Sequence, residues 1–125
     1  MRSTIATILG VLLAANGVLM LVAPAPWYAL TPGVVATGPF NPHFVRDIGC
    51  AYFVAGASLV WLAMDPRAWR AAMTGAAFLS LHAMVHVWDA ASGRETLGRL
   101  IGDLPGVFAP PALAIWLAWP RNSKE

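Results

Sequence analysis

Polar and apolar positions along this chain separate into blocks instead of alternating residue by residue. Four apolar blocks cover about residues 4–22, 43–64, 69–90 and 104–119, and most of the Pro and charged residues fall between them. A helix needs about 20 predominantly apolar residues to cross the hydrocarbon of a bilayer. The first three blocks meet that length, so the pattern predicts membrane-spanning helices. The fourth is short for a full crossing, and Pro110-Pro111 predicts a kink or a delayed start within it.

The breaks between blocks carry their own signals. Asn41-Pro42 predicts a helix start, with Asn as N-cap and Pro as the first helical residue. Asp65-Pro66 predicts the end of the second span, because the residue before proline avoids helical geometry. Ser92-Gly93 predicts the end of the third. Residues 23–40 hold Pro24, Pro26, Pro32, Gly33, Gly38 and Pro39 and read as a long loop capping the bundle. Trp27 and Tyr28, and later Trp116 and Trp119, suit the membrane interface. Between Gly93 and Asp103, the apolar Leu97, Leu100 and Ile101 among charged residues predict a short helix on the membrane surface. Arg2 before an apolar stretch also resembles a signal peptide. The length of the run and Pro26 just after Ala23-Pro24-Ala25 favour an uncleaved first span instead. Within that span Asn16 is expected to bond a neighbouring helix, with Gly10 and Gly17 allowing close approach.

Composition supports the membrane reading. The 125 residues, enough for one domain, are 58% hydrophobic and 11% charged, with a mean hydropathy of +0.64. A soluble domain carries about a quarter charged residues, so this chain has too few to cover a water-facing surface. The expected class is an all-α integral membrane four-helix bundle of the cell membrane. No basic run points to nucleic acid. The single cysteine, Cys50, excludes an intrachain disulfide. Four spans put both termini on one side. Arg2, Arg67, Arg70, Arg121 and Lys124 then share that side, against Arg46, Arg94 and Arg99 on the other, so the positive-inside rule makes both termini cytoplasmic.

That topology brings the chain's polar chemistry to one end. His82 and His86, four apart on the third span, share a helix face, and Asp89 follows close to it. His43, Asp47 and Cys50 share a face near the start of the second span. If these spans are neighbours, the two sets meet at similar depth near the outer surface. Every histidine in the chain is in this group, and ionisable groups in apolar segments are costly to keep. His43, His82 and His86 with Asp47 or Asp89 form a candidate site for a transition metal such as iron, copper or zinc. Haem ligation and a quinone pocket are weaker variants of the same redox reading. Cys50 is a possible further ligand, though an inert apolar role suits it better. Arg46 is expected to pair with Asp47 or Asp89. The plain alternative is a non-catalytic subunit or scaffold in which these groups hydrogen-bond across helices, each worth about 0.6 kcal/mol.

The four-span layout, the stretch Asn41-Pro42-His43-Phe44-Val45-Arg46-Asp47-Ile48-Gly49 and the His82/His86 pair resemble the small bacterial membrane proteins of the DoxX-like type. The resemblance implies a four-helix membrane fold and a loose association with quinone-linked oxidoreductases. It implies no residue roles. Beyond the bilayer, the expected partner is a larger membrane complex or further copies of the chain.

Overall fold

The computed structural model describes residues 1–120, so the two basic residues Arg121 and Lys124, counted above toward the cytoplasmic side, lie outside the described residues. Among the described residues the structure is helical, with no strand. Helix α1 spans Arg2–Val22, α2 Pro24–Leu30, α3 Pro42–Met64, α4 Trp69–Ala91, α5 Leu97–Gly102 and α6 Ala109–Ala118. Three helical stretches are long and apolar enough to cross a membrane: Arg2–Val22, Pro42–Met64 and Pro66–Ala91. The last apolar stretch, Leu104–Ala118, is shorter. At 1.5 Å per residue it reaches about 22 Å, against about 30 Å of hydrocarbon. It opens with a π-helical turn over Leu104–Phe108, and Pro110 and Pro111 fall in the first turn of α6, where their missing N–H groups cost little.

The helix boundaries follow from local chemistry. Asn41 caps α3, its side chain accepting from the backbone N–H of His43 at 3.0 Å and of Phe44 at 3.2 Å. Asp65 ends α3 in extended geometry and accepts from Arg67 N–H at 2.9 Å. Residues 23–40 are more ordered than a plain loop. They form α2, then a 3-10 turn over Val34–Thr37. Trp27 Nε1 donates to Asn16 Oδ1 at 2.9 Å, which ties α2 to α1 and gives the span's one asparagine its partner on a neighbouring helix. Tyr28 packs on Phe40 with ring centroids 5.1 Å apart, and its hydroxyl donates to Gly38 O.

Packing is closest between α1 and α3. Glycines make this possible. A Cβ on Gly17 would stand 2.5 Å from Gly49 O, and one on Gly10 would stand 2.7 Å from Gly56 O. Both distances are too short for carbon against oxygen, so the two backbones touch where these four glycines meet. Helix α4 packs on α3 and on α6. The core is mostly alanine and leucine, with Ala55, Leu59, Ala72, Ala76, Leu79 and Ala114 nearly inaccessible. Large apolar side chains, among them Leu12, Val54, Trp61, Leu81 and Met84, stand exposed around the outside. Such an apolar surface is the one a bilayer covers. At the end of the bundle holding the N-terminus, Arg2 donates to the carbonyls of Trp116 and Leu117 and lies over the Trp116 ring, and Ser3 Oγ donates to Ala63 O at 3.0 Å.

Candidate metal centre

The site is built by the way α4 ends. Gly93 takes the left-handed conformation, with φ at +75°, one residue past the Ser92 cap. The N–H of Gly93 bonds Ala90 O at 3.2 Å, and the N–H of Arg94 bonds Asp89 O at 2.9 Å. This pair of bonds is the Schellman motif, and it turns the chain back on the helix it has just left. The return brings Glu95 against the last turns of α4. Thr96 then caps α5, accepting from Arg99 N–H at 3.3 Å, and Asp103 follows at the end of that helix.

Three side chains converge as a result. His86 Nδ1 lies 2.9 Å from Asp103 Oδ2 and 3.9 Å from Glu95 Oε2. Glu95 Oε1 pairs with Arg99 Nε at 3.2 Å, and Arg99 also donates to Gly33 O in the 23–40 segment. Only 9% of the Glu95 side chain is exposed, against 19% for His86 and for Asp103. Glu95 Oε2 is buried and has no hydrogen-bond partner. A buried carboxylate oxygen without a partner is costly, and this one faces an imidazole nitrogen. One ligand atom from each of His86, Glu95 and Asp103 lies within 4.8 Å of the others, so the group could hold a metal ion. With two carboxylates against one guanidinium, it carries formal negative charge in excess.

Of the residues expected from the sequence, His86 belongs to this group. His82 sits one turn deeper, its ring 5.0 Å from the His86 ring centroid, 5.9 Å from Tyr52 and stacked on Phe78 at 6.4 Å. It is half-buried there, against aromatic rings. Asp89 pairs with Arg94 Nη1 at 3.0 Å. His43 Nε2 and Asp47 Oδ2 pair with each other at 3.4 Å on an exposed surface, with 86% and 58% of their side chains accessible. The reason is helical phase. Val45 and Gly49 are the buried positions of this stretch, with Gly49 set against Gly17 and Met20 of α1. Asp47, two residues from each, falls on the opposite side. Cys50 is exposed. Arg46, expected to pair with Asp47 or Asp89, instead donates from Nε to Leu21 O at 3.2 Å, where α1 ends.

Glu95 and Asp103 are the residues that sequence reasoning left out. Both sit in a segment that reads as a short helix on the membrane surface, beside Arg94 and Arg99 that would satisfy them. The available signal was Gly93: a glycine just after the third span turns the chain back, and acidic residues soon after it return to the histidine face.

No family model matches the chain, and no curated protein or solved structure matches it either.

Proposed function

We propose that this chain is a multi-pass protein of the cell membrane, a four-helix bundle with both termini cytoplasmic, and that the centre around His86 serves metal- or quinone-linked redox chemistry at its outer end. In this reading Leu104–Ala118 completes the bundle as a fourth, shortened crossing, and the kinship is with the DoxX-like membrane proteins. The observation that carries the reading is Glu95 Oε2, buried without a partner at 3.9 Å from an imidazole nitrogen at the end of an apolar helix. A protein keeps such a group where a cation or a proton is to be held. His82, half-buried against Tyr52 and Phe78 one turn deeper, gives the same centre an apolar neighbour on the membrane side.

Metal analysis and an optical spectrum of detergent-purified protein test this, beside a His86→Ala variant. A stoichiometric redox-active metal, a haem band or bound quinone, lost in the variant, supports the reading. Their absence from a well-folded wild type overturns the redox role.

A second reading rests on Arg99, which joins Glu95 to Gly33 O and so ties the turn after α4 to the segment after α2. Here the polar centre is a clasp on a non-catalytic membrane subunit that works within a larger complex. Co-purification with a larger enzyme, without any cofactor on this chain, selects it.

A further inference from the structure

We propose that His86 Nδ1, Glu95 Oε2 and Asp103 Oδ2 are the three protein ligands of a divalent first-row ion of borderline hardness: manganese, iron(II) or zinc. The proposal deepens the metal form of the redox reading by fixing its ligands, and it stands or falls separately from any redox activity.

Geometry is the first support. Ligands bonded at about 2.1 Å are separated by about 3.0 Å when cis in an octahedron and by about 3.4 Å in a tetrahedron. The His86–Asp103 separation of 2.9 Å already matches the first figure, and the His86–Glu95 separation of 3.9 Å needs a closure of less than an ångström. One ligand atom from each of the three residues lies within 4.8 Å of the other two. Burial is the second and independent support. Glu95 is more than nine-tenths buried, and the oxygen it turns toward His86 has no hydrogen bond. An ion between the three groups gives that oxygen its partner and neutralises the excess negative charge. Positioning is the third. Arg99 occupies Oε1 and leaves Oε2 as the free ligand atom, the kind of outer contact that orients metal-bound carboxylates.

The donor set decides the ion class. One imidazole with two carboxylates is harder than the thiolate sets that copper(I) selects, and softer than the all-oxygen sets of calcium and magnesium. Three protein ligands leave positions open for water or a small ligand, the arrangement of reactive sites and not of closed structural ones. Binding replaces the present His86–Asp103 hydrogen bond: the Nδ1 proton passes to solvent, or to Nε2 by way of water, and the freed Nδ1 lone pair takes the metal.

Titration of chelator-treated, detergent-purified protein with Mn²⁺ and with Zn²⁺, followed by calorimetry, tests the assignment. The wild type is expected to bind at least one of them at one ion per chain. Glu95→Gln and Asp103→Asn, which keep shape and remove charge, are each expected to weaken that binding by about 100-fold or more, since even outer contacts shift affinity by 10–100-fold. Asp89→Asn and His43→Ala are expected to bind as the wild type does. Thermal unfolding with and without the ion is the second readout: the ion raises Tm in the wild type and leaves Glu95→Gln unmoved. A wild type that binds neither ion stoichiometrically, or Glu95→Gln and Asp103→Asn variants that bind as tightly, overturns the assignment. Ion binding without any redox-active centre retires the redox reading and leaves this site standing. A haem or quinone in a protein that binds neither ion, or that binds them as tightly in Glu95→Gln, retires this site and leaves the redox reading standing.

Discussion

His86 and Asp103 stand 17 positions apart in the chain, yet Nδ1 of one meets Oδ2 of the other at 2.9 Å. One left-handed glycine and one short helix close that distance. The contact joins the end of the third long helix to the start of the last apolar stretch, so it is both a structural tie and a pairing of two of the three proposed ion ligands. Charged hydrogen bonds of this kind contribute about 1.5–3 kcal/mol. Asp103→Ala is therefore expected to lower the stability of ion-free protein by about 1–3 kcal/mol. Thermal or denaturant unfolding in detergent measures this.

The glycine contact between α1 and α3 predicts a loss that is independent of the site. Gly17→Val puts its Cβ within 2.5 Å of Gly49 O, with Phe53 N at 2.6 Å. Backbone cannot give way as a side-chain tip does, so the helices must part. The expected cost is about 1–3 kcal/mol or more. Gly98→Ala is the control, because a Cβ there meets nothing within 4 Å. Unfolding midpoints of the two variants in one detergent separate packing from general effects of added bulk.

Asn41 supplies a cap visible from sequence alone. Asn41→Ala removes the acceptor for two backbone N–H groups of α3 and is expected to cost about 1 kcal/mol. Asn41→Asp keeps the acceptor and is expected to restore most of it. Helical content and unfolding midpoint, followed by circular dichroism, check the pair.

His43 and Asp47 predict the opposite outcome. Their pair is exposed, and exposed pairs contribute little. His43→Ala and Asp47→Ala are each expected to change stability by less than about 0.5 kcal/mol. A loss of bound ion in either would move the site to the start of α3.

Arg99→Ala is expected to free the 31–38 segment, because Arg99 is the side chain that holds Gly33 O. Faster hydrogen exchange there, with exchange in α1 and α3 unchanged, is the expected readout.

Much of this architecture was legible in the sequence because it depends on signals that act locally. Apolar length fixes the long helices, Asn41-Pro42 and Asp65-Pro66 bound the second, and Ser92-Gly93 ends the third where expected. His82 and His86 needed only the period of a helix to be placed together. The rest depended on information that periodicity does not contain. Which side of α3 faces α1 is set by Gly49 meeting Gly17, and that choice turns His43 and Asp47 outward. Residues 23–40 gained order from partners distant in sequence, Asn16 for Trp27 and Arg99 for Gly33. Glu95 and Asp103 were hidden by their neighbours, since charged residues around Leu97, Leu100 and Ile101 look like the polar face of a helix on the membrane surface. Burial beside a histidine, which only the folded turn provides, changes the meaning of both carboxylates.

The most direct test of the ion site is a crystal grown with Mn²⁺ or Zn²⁺ and measured at that metal's absorption edge. An anomalous peak is expected bounded by His86 Nδ1, Glu95 Oε2 and Asp103 Oδ2, each about 2.0–2.2 Å away. A peak between His43 and Asp47, a peak on His82 without the two carboxylates, or no peak with His86 still bonded to Asp103 would contradict it.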